Sequence, residues 1–395
     1  MSRHGEFPDL GDVPPDVFRD EAHELVDWIA DYLERLDSLS VVPPVEPGDI
    51  RDALSSTPPD EAEPFGAILA DLDRVVVPGL THWGHPRFFA WFNSSGSAPG
   101  ILGETLAATF NPNCMTWLAS PAGTELEQVV VDWLRQMLGL PDGLWGIVNE
   151  GASLNSLLAL ATARESLGLD IRQQGLTGRP DLPRLAIYVS EQAHSSIDKA
   201  AITLGFGVDG VRKIPVDGEF RMIPGALEAA LLEDRRRGWR PTCVVGTVGT
   251  TSTTSIDPIP EIARICRAEE VWLHVDAAHG GAAALCPEHR DVLAGCDRAD
   301  SLIVNPHKWM FVPIEASVLY TRRPETLKRA FSLVPEYLRD DHGESVTNFM
   351  DYGITLGHRF RALKMWVVFR RFGREGLARR IREHVRLGRL VADWI

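Results

Sequence analysis

The chain has 395 residues, 44% apolar and 24% charged, the balance of a soluble globular protein rather than a disordered or fibrous one. Its 40 basic residues against 55 acidic ones give a net charge of −15, which excludes the basic footprint that sequence-independent nucleic-acid binding requires. No apolar run is long enough to cross a membrane, and the N-terminus Met-Ser-Arg-His-Gly-Glu-Phe lacks the apolar stretch of a secretory signal.

The first predicted element is an amphipathic helix over residues 16–37. Phe18, Ala22, Leu25, Ile29, Leu33 and Leu36 recur every three or four positions, and Pro14 and Pro15 precede them. Its stripe must be covered by its own domain or by a partner chain. A Pro-rich connector without periodicity follows over residues 41–64. Thr124-Glu125-Leu126-Glu127 matches a capping box and is expected to open a helix carrying Leu126, Val130, Trp133 and Met137.

From there the pattern alternates. Short apolar runs at 146–149, 185–189, 243–248, 271–275, 301–304 and 316–320 are separated by helical stretches such as 153–168 and 258–269. Apolar runs alternating with helices predict an α/β fold whose mostly parallel sheet is covered on both faces. The last stretch, 360–395, reads as a helix. The five cysteines, Cys114, Cys243, Cys266, Cys286 and Cys296, contain no C-x-x-C pair and read as reduced thiols, which with the missing signal points to the cytoplasm.

Three short motifs carry little. Gly205-Phe-Gly207-Val-Asp-Gly210 matches G-x-G-x-x-G, but it follows a helix and leads into a strand, the reverse of the dinucleotide-binding order. Gly249-Thr250-Thr251-Ser252-Thr253 lacks the Gly-Lys of a phosphate-binding P-loop. His274, Asp276 and His279 are too weak a pattern to assign a metal, and none is expected.

A stronger signal comes from residues placed just past the carboxyl ends of predicted strands, where α/β sheets bind ligands. Asn305-Pro306-His307-Lys308-Trp309 supplies a lysine amine. His274-Val275-Asp276-Ala277-Ala278 supplies a carboxylate flanked by small residues. Gly151-Ala152-Ser153 opens a helix whose N–H groups suit a phosphate, and Gln192-Ala193-His194-Ser195-Ser196 supplies an imidazole. A Schiff-base lysine, a carboxylate for a ring nitrogen, a phosphate cradle and a flat group over the ring are the parts a pyridoxal 5'-phosphate (PLP) enzyme needs.

These segments, with Pro78-Gly79-Leu80-Thr81-His82-Trp83, Phe88-Phe89-Ala90-Trp91-Phe92, Ser120-Pro121-Ala122-Gly123-Thr124-Glu125-Leu126-Glu127 and Gly357-His358-Arg359-Phe360-Arg361-Ala362-Leu363-Lys364-Met365-Trp366, make the chain resemble a group II PLP-dependent amino acid decarboxylase of the aromatic-L-amino-acid type. The resemblance runs from about residue 15 to the last residue. It implies the type I, aspartate-aminotransferase-like fold with an N-terminal helical arm. It implies that Lys308 holds PLP, that Asp276 binds the ring nitrogen, that Ala278 packs on the ring and that His194 stacks on its other face. The phosphate falls to Ala152, Ser153, Thr251, Asn305 and His307, and the substrate side chain to Trp83, Trp91 and Phe92. Tyr337, in the charged segment Val334–Glu344, matches the family's loop tyrosine, which protonates the substrate carbon after CO2 leaves. The family's active site forms between two copies of the chain, so a homodimer with exchanged N-terminal helices is implied.

The same comparison divides the chain into an arm and connector over 1–85, a large PLP-binding domain over 86–350, and the start of a C-terminal region over 351–395, with the family's small domain expected to be missing. The implied reaction is decarboxylation of tryptophan, phenylalanine, tyrosine or DOPA to the amine. The alternatives are an aldehyde synthase, a group II enzyme acting on glutamate, or a PLP-binding protein without turnover. His194 and Tyr337, one or other of which is replaced in the synthases, favour the amine; the aromatic side-chain positions disfavour glutamate. Three departures stand out. Glu150 adjoins the phosphate turn, where its charge is repulsive unless the side chain points away. Asn93-Ser94-Ser95-Gly96 replaces a proline-containing segment, and Trp91 is bulkier than the usual tyrosine.

Overall fold

The computed structural model describes residues 12–92, Ser94, 96–333 and 345–395. The chain forms two compact units, one ending at residue 93 and one spanning Ser94–Ile395.

The first unit opens on the helix Pro15–Arg35, continued by a single 3-10 turn over Leu36–Ser38. Its predicted apolar stripe is present but only partly covered: Ala22, Leu25 and Ile29 are half-buried, the helix has no fully buried residue, and Phe18 is 62% exposed. The indole of Trp28 donates to Asp73 at 3.0 Å and Arg35 pairs with the same carboxylate, which anchors the helix to the segment Leu72–Val76. Tyr32 and His82 are joined at 2.9 Å.

The second unit is built on seven strands: β1 (Trp145–Asn149), β2 (Leu185–Ser190), β3 (Val211–Ile214), β4 (Arg240–Thr247), β5 (Trp272–Asp276), β6 (Ser301–Val304) and β7 (Ser317–Thr321). Their order is β1-β7-β6-β5-β4-β2-β3. β7 is antiparallel to both its neighbours, and every other pairing is parallel. The predicted α/β class and mostly parallel sheet are therefore correct. The reversed β7 was not anticipated, although the segment before it holds only the one-turn helix Pro306–Trp309, too little for a parallel crossover.

Alternation along each strand explains why these runs read as continuously apolar. In β2, Ala186 and Tyr188 enter one core, while Ile187 and Val189 enter the other. β5 sends Leu273 and Val275 to the first core and Trp272 to the second. β6 divides Leu302 and Val304 from Ile303 in the same way. Both faces are thus buried, under the helices Pro121–Leu138, Ile259–Ala268 and Arg361–Trp394 on one side and Ala152–Glu165 and Ser196–Thr203 on the other. All five cysteines are buried thiols outside any disulfide.

One start signal was misread. The helix Pro121–Leu138 begins three residues before the predicted capping box, because Ser120 accepts from Gly123 N at 3.2 Å and Pro121 occupies the first turn. Glu127, freed from capping, lies buried and accepts from Val148 N at 2.8 Å, and His358 Nε2 lies 2.8 Å from its other oxygen. It ties β1 to the start of the last helix. Among the described residues, no helix is long and apolar enough to cross a membrane.

Candidate active site

Two antiparallel steps, β1 to β7 and β7 to β6, leave β1 pointing the same way as β6. The carboxyl ends of β1, β2, β4, β5 and β6 therefore share one edge of the sheet. Asn149, Ser190, Thr247, Asp276 and Val304 end these strands, and beyond them come Ala152 and Ser153, His194, Thr251, Ala278, and Asn305 to Lys308. Every sequence-predicted residue of this unit that the structure describes, Lys308 and Asp276 included, is thus at or just past a strand end on that edge.

Asp276 is 8% exposed and accepts from Ala278 N at Oδ1, 3.0 Å away. Its Oδ2 takes no hydrogen bond among the described residues. Ala278 is fixed in turn, its carbonyl accepting from Asn305 N at 3.1 Å. The loops after β4 and β5 touch backbone to backbone: a Cβ on Gly280 would lie 2.6 Å from the Val248 carbonyl oxygen, so that approach requires glycine. Lys308 is partly buried, and this burial pulls its ammonium below the usual lysine range, partly opposed by the Asp276 charge. Its amine is therefore more often neutral, and nucleophilic, than a surface lysine's.

The phosphate-side residues form a connected polar chain. Asn149 Nδ2 donates to Asn155 Oδ1 at 2.7 Å, Asn155 Nδ2 to Ser317 Oγ at 2.8 Å, and Ser317 Oγ to Asn305 Oδ1 at 2.5 Å. This sequence of donors leaves the Asn305 NH2 facing His307 Nε2, 3.3 Å away. His307 Nδ1 accepts from Ala316 N at 2.9 Å. Burial, with Lys308 and Lys364 nearby, lowers the His307 pKa to about 4, so the ring is neutral and carries its proton on Nε2. Two N–H donors therefore face each other with no acceptor between them, the arrangement that one anion oxygen satisfies.

The helix Ala152–Glu165 adds backbone donors, since no side chain caps its N-terminus. A Cβ built on the preceding Gly151 meets no atom within 4 Å, so the turn opens onto free space. Thr251 is exposed in the turn after β4, which is held by Thr250, Thr253 and Ser255 through contacts of 2.7 and 2.8 Å. His194 sits between β2 and the helix Ser196–Thr203, its Nδ1 accepting from Ser196 N at 3.1 Å.

Two histidines of the β5 segment, His279 near Lys308 and His274 within the strand, are groups that sequence reasoning left without a role at this site. Burial and the Lys308 charge lower the His279 pKa to about 4. His279 also stacks on Trp309 with centroids 5.2 Å apart. His274 is fully buried, with Nδ1 2.8 Å from Ser301 Oγ. Asn155 and Ser317 were missed as well: a polar residue inside an apolar run is their only trace in the sequence.

Trp83, Trp91 and Phe92 belong to the first unit. Trp83 lies 5.0 Å from Phe88 and 5.4 Å from Trp91, ring centroid to centroid, and Trp91 is 75% exposed. Tyr337 lies outside the described residues.

The pyridoxal-dependent decarboxylase conserved domain matches residues 47–395. The chain belongs to that family. It is 42% identical over 382 residues to aromatic-L-amino-acid decarboxylase of Sus scrofa, covering 94% of this chain and 78% of that one. Among solved structures it is similar to Oryza sativa TDC with PLP and tryptamine, with a TM-score of 0.92 and 37% identity over 98% of this chain and 80% of that one. Rhodiola rosea 4-hydroxyphenylacetaldehyde synthase gives 0.88 at 34% identity, covering 96% and 80%.

This decarboxylase is thus a PLP-dependent carboxy-lyase of amino acids with the type I fold. Its own residues fit the cofactor. Asp276 Oδ2 offers a buried carboxylate oxygen to a pyridinium N–H. Asn305 Nδ2 and His307 Nε2, and separately the N–H groups of the uncapped helix Ala152–Glu165, are donors of the kind a phosphate would take. Lys308 offers a desolvated amine to the aldehyde.

Proposed function

We propose that this decarboxylase acts on aromatic L-amino acids and releases CO2 and the arylalkylamine. The observation that carries the chemistry is the partly buried Lys308 amine in the electrostatic reach of the buried Asp276 carboxylate, beyond adjacent parallel strands. The aromatic preference rests on the Trp83–Phe88–Trp91 cluster and on the names of similar proteins.

Bound PLP supplies an electron-accepting ring conjugated to the substrate nitrogen. The residues of the chain do the rest. Lys308 would hold the cofactor through its amine. Asp276 would hold a proton on the ring nitrogen. Asn305, His307, Ala152, Ser153 and Thr251 hold the phosphate, and Ala278 and His194 bracket the ring. The family resemblance of their segments alone assigns Trp83, Trp91 and Phe92 to the substrate side chain. Tyr337, assisted by His194, delivers the proton to Cα; this assignment rests on the family resemblance of its sequence segment alone.

A second copy completes the assembly in this reading. The exposed part of the helix Pro15–Arg35, with Phe18 at 62%, supports it, because an amphipathic helix whose stripe is only partly covered leaves apolar surface for a partner. A monomer in sedimentation velocity of the holoenzyme would rule it out.

The substrate reading is tested with a panel of tryptophan, phenylalanine, tyrosine, DOPA and glutamate, following CO2 release. A kcat/KM for at least one aromatic substrate on the order of 10³-fold above that for glutamate is expected, the range by which a site of the wrong polarity rejects a charged side chain. A preference for glutamate would overturn the reading.

A further inference from the structure

Glu150 poses a problem that the mechanism leaves open. It lies between β1 and the Gly151-Ala152-Ser153 turn, so an unpaired carboxylate there would oppose a phosphate. Its side chain is instead engaged: Arg361 Nη2 donates to Glu150 Oε1 at 3.1 Å. The same guanidinium donates to Glu315 Oε1, from Nη2 at 2.9 Å and Nε at 3.3 Å.

Arg361 is 7% exposed, and it starts the last helix. A guanidinium so desolvated is held in place by these two carboxylates. Its two partners sit on opposite halves of the cradle. Glu150 immediately precedes the turn whose N–H groups open the helix Ala152–Glu165. Glu315 immediately precedes Ala316, whose N–H fixes His307 Nδ1 and thereby directs its Nε2 proton at Asn305. The chain Asn149–Asn155–Ser317–Asn305 joins the same two segments, but among the described residues Arg361 is the partner of the Glu150 carboxylate itself.

We infer that Arg361 is a positioning residue of the phosphate cradle, drawing the Glu150 charge onto itself and locking the β1 turn to the His307 segment. This rests on the reading of Asn305, His307 and the helix N-terminus as the phosphate site. Arg361 touches neither substrate nor cofactor in this account. Its effect is on how tightly the apoenzyme takes up PLP.

The test is a titration of apoenzyme with PLP, read by absorbance and independent of turnover, with urea unfolding of each apo variant to register damage to the fold. Arg361→Gln should weaken PLP binding on the order of 10- to 100-fold, the range seen when an outer partner of a bound ion is removed. Arg361→Lys should fall between it and wild type, because lysine keeps the charge but loses the fork. The double variant Arg361→Gln/Glu150→Gln should recover part of the loss, since it removes the Glu150 charge beside the turn while Glu315 stays unpaired. A merely structural role predicts no such recovery. Arg361→Gln binding within about twofold of wild type, or a double variant as weak as the single one, would overturn the inference. His307→Ala separates the two readings: unchanged PLP affinity there would overturn the cradle itself, whatever Arg361 does.

Discussion

Replacing Lys308 with alanine is expected to abolish covalent attachment of PLP and to lower decarboxylation on the order of 10⁴-fold or more, as loss of a covalent catalyst does. The chain should still fold, because burial already disfavours the Lys308 ammonium and its removal takes a desolvated charge from the interior. Borohydride reduction followed by peptide mapping is the direct readout. Wild type should carry the reduced cofactor on the peptide containing Lys308, and Lys308→Ala on none. The alternative acceptors are Lys199, Lys213, Lys328 and Lys364. Lys213 is tied to Asp198 and Lys364 is buried against Glu104, which leaves neither as a ready nucleophile. A reduced adduct on any of these four in the wild-type protein would contradict the assignment.

Asp276→Ala carries the second largest effect. The carboxylate is buried and held by Ala278 N, so its negative charge acts through a medium of low polarizability rather than through water. Losing it should reduce kcat by about 10²–10³-fold, the effect of removing one preorganised electrostatic group. Asp276→Asn should be nearly as impaired, because an amide keeps the shape and the Ala278 bond but cannot hold a proton on the ring nitrogen. Asp276→Glu should retain more activity than either. Equal kcat for wild type and Asp276→Asn would show that the charge is not what matters.

How far the sequence alone reaches can be read from individual residues. The strands were legible because both faces are buried, so Ile187, Tyr188 and Val189 are all apolar despite facing different cores. The placement of Lys308, Asp276 and His194 at or just past strand ends was legible because each follows or closes an apolar run, the edge where α/β sheets bind ligands. The helix start at Ser120 was obscured by two overlapping signals, Ser-Pro and the Thr-x-x-Glu box, of which the first prevails because Glu127 is claimed by Val148 and His358. The reversal of β7 follows from the short segment before it rather than from any feature of Ser317–Thr321 itself. The chain Asn149–Asn155–Ser317–Asn305 was invisible because its members are scattered along the sequence and meet only where β1 and β6 end on either side of the start of β7. Arg361 was quoted as part of a family segment, but its partners Glu150 and Glu315 are likewise non-local.

The most direct measurement is product stoichiometry. Purified holoenzyme, given its preferred aromatic amino acid in an oxygen-electrode cell, should yield one amine for each CO2 with no oxygen consumed and no peroxide formed. Aldehyde and peroxide in step with CO2 would place the protein with the aldehyde synthases, and no CO2 from any aromatic amino acid would contradict the account as a whole.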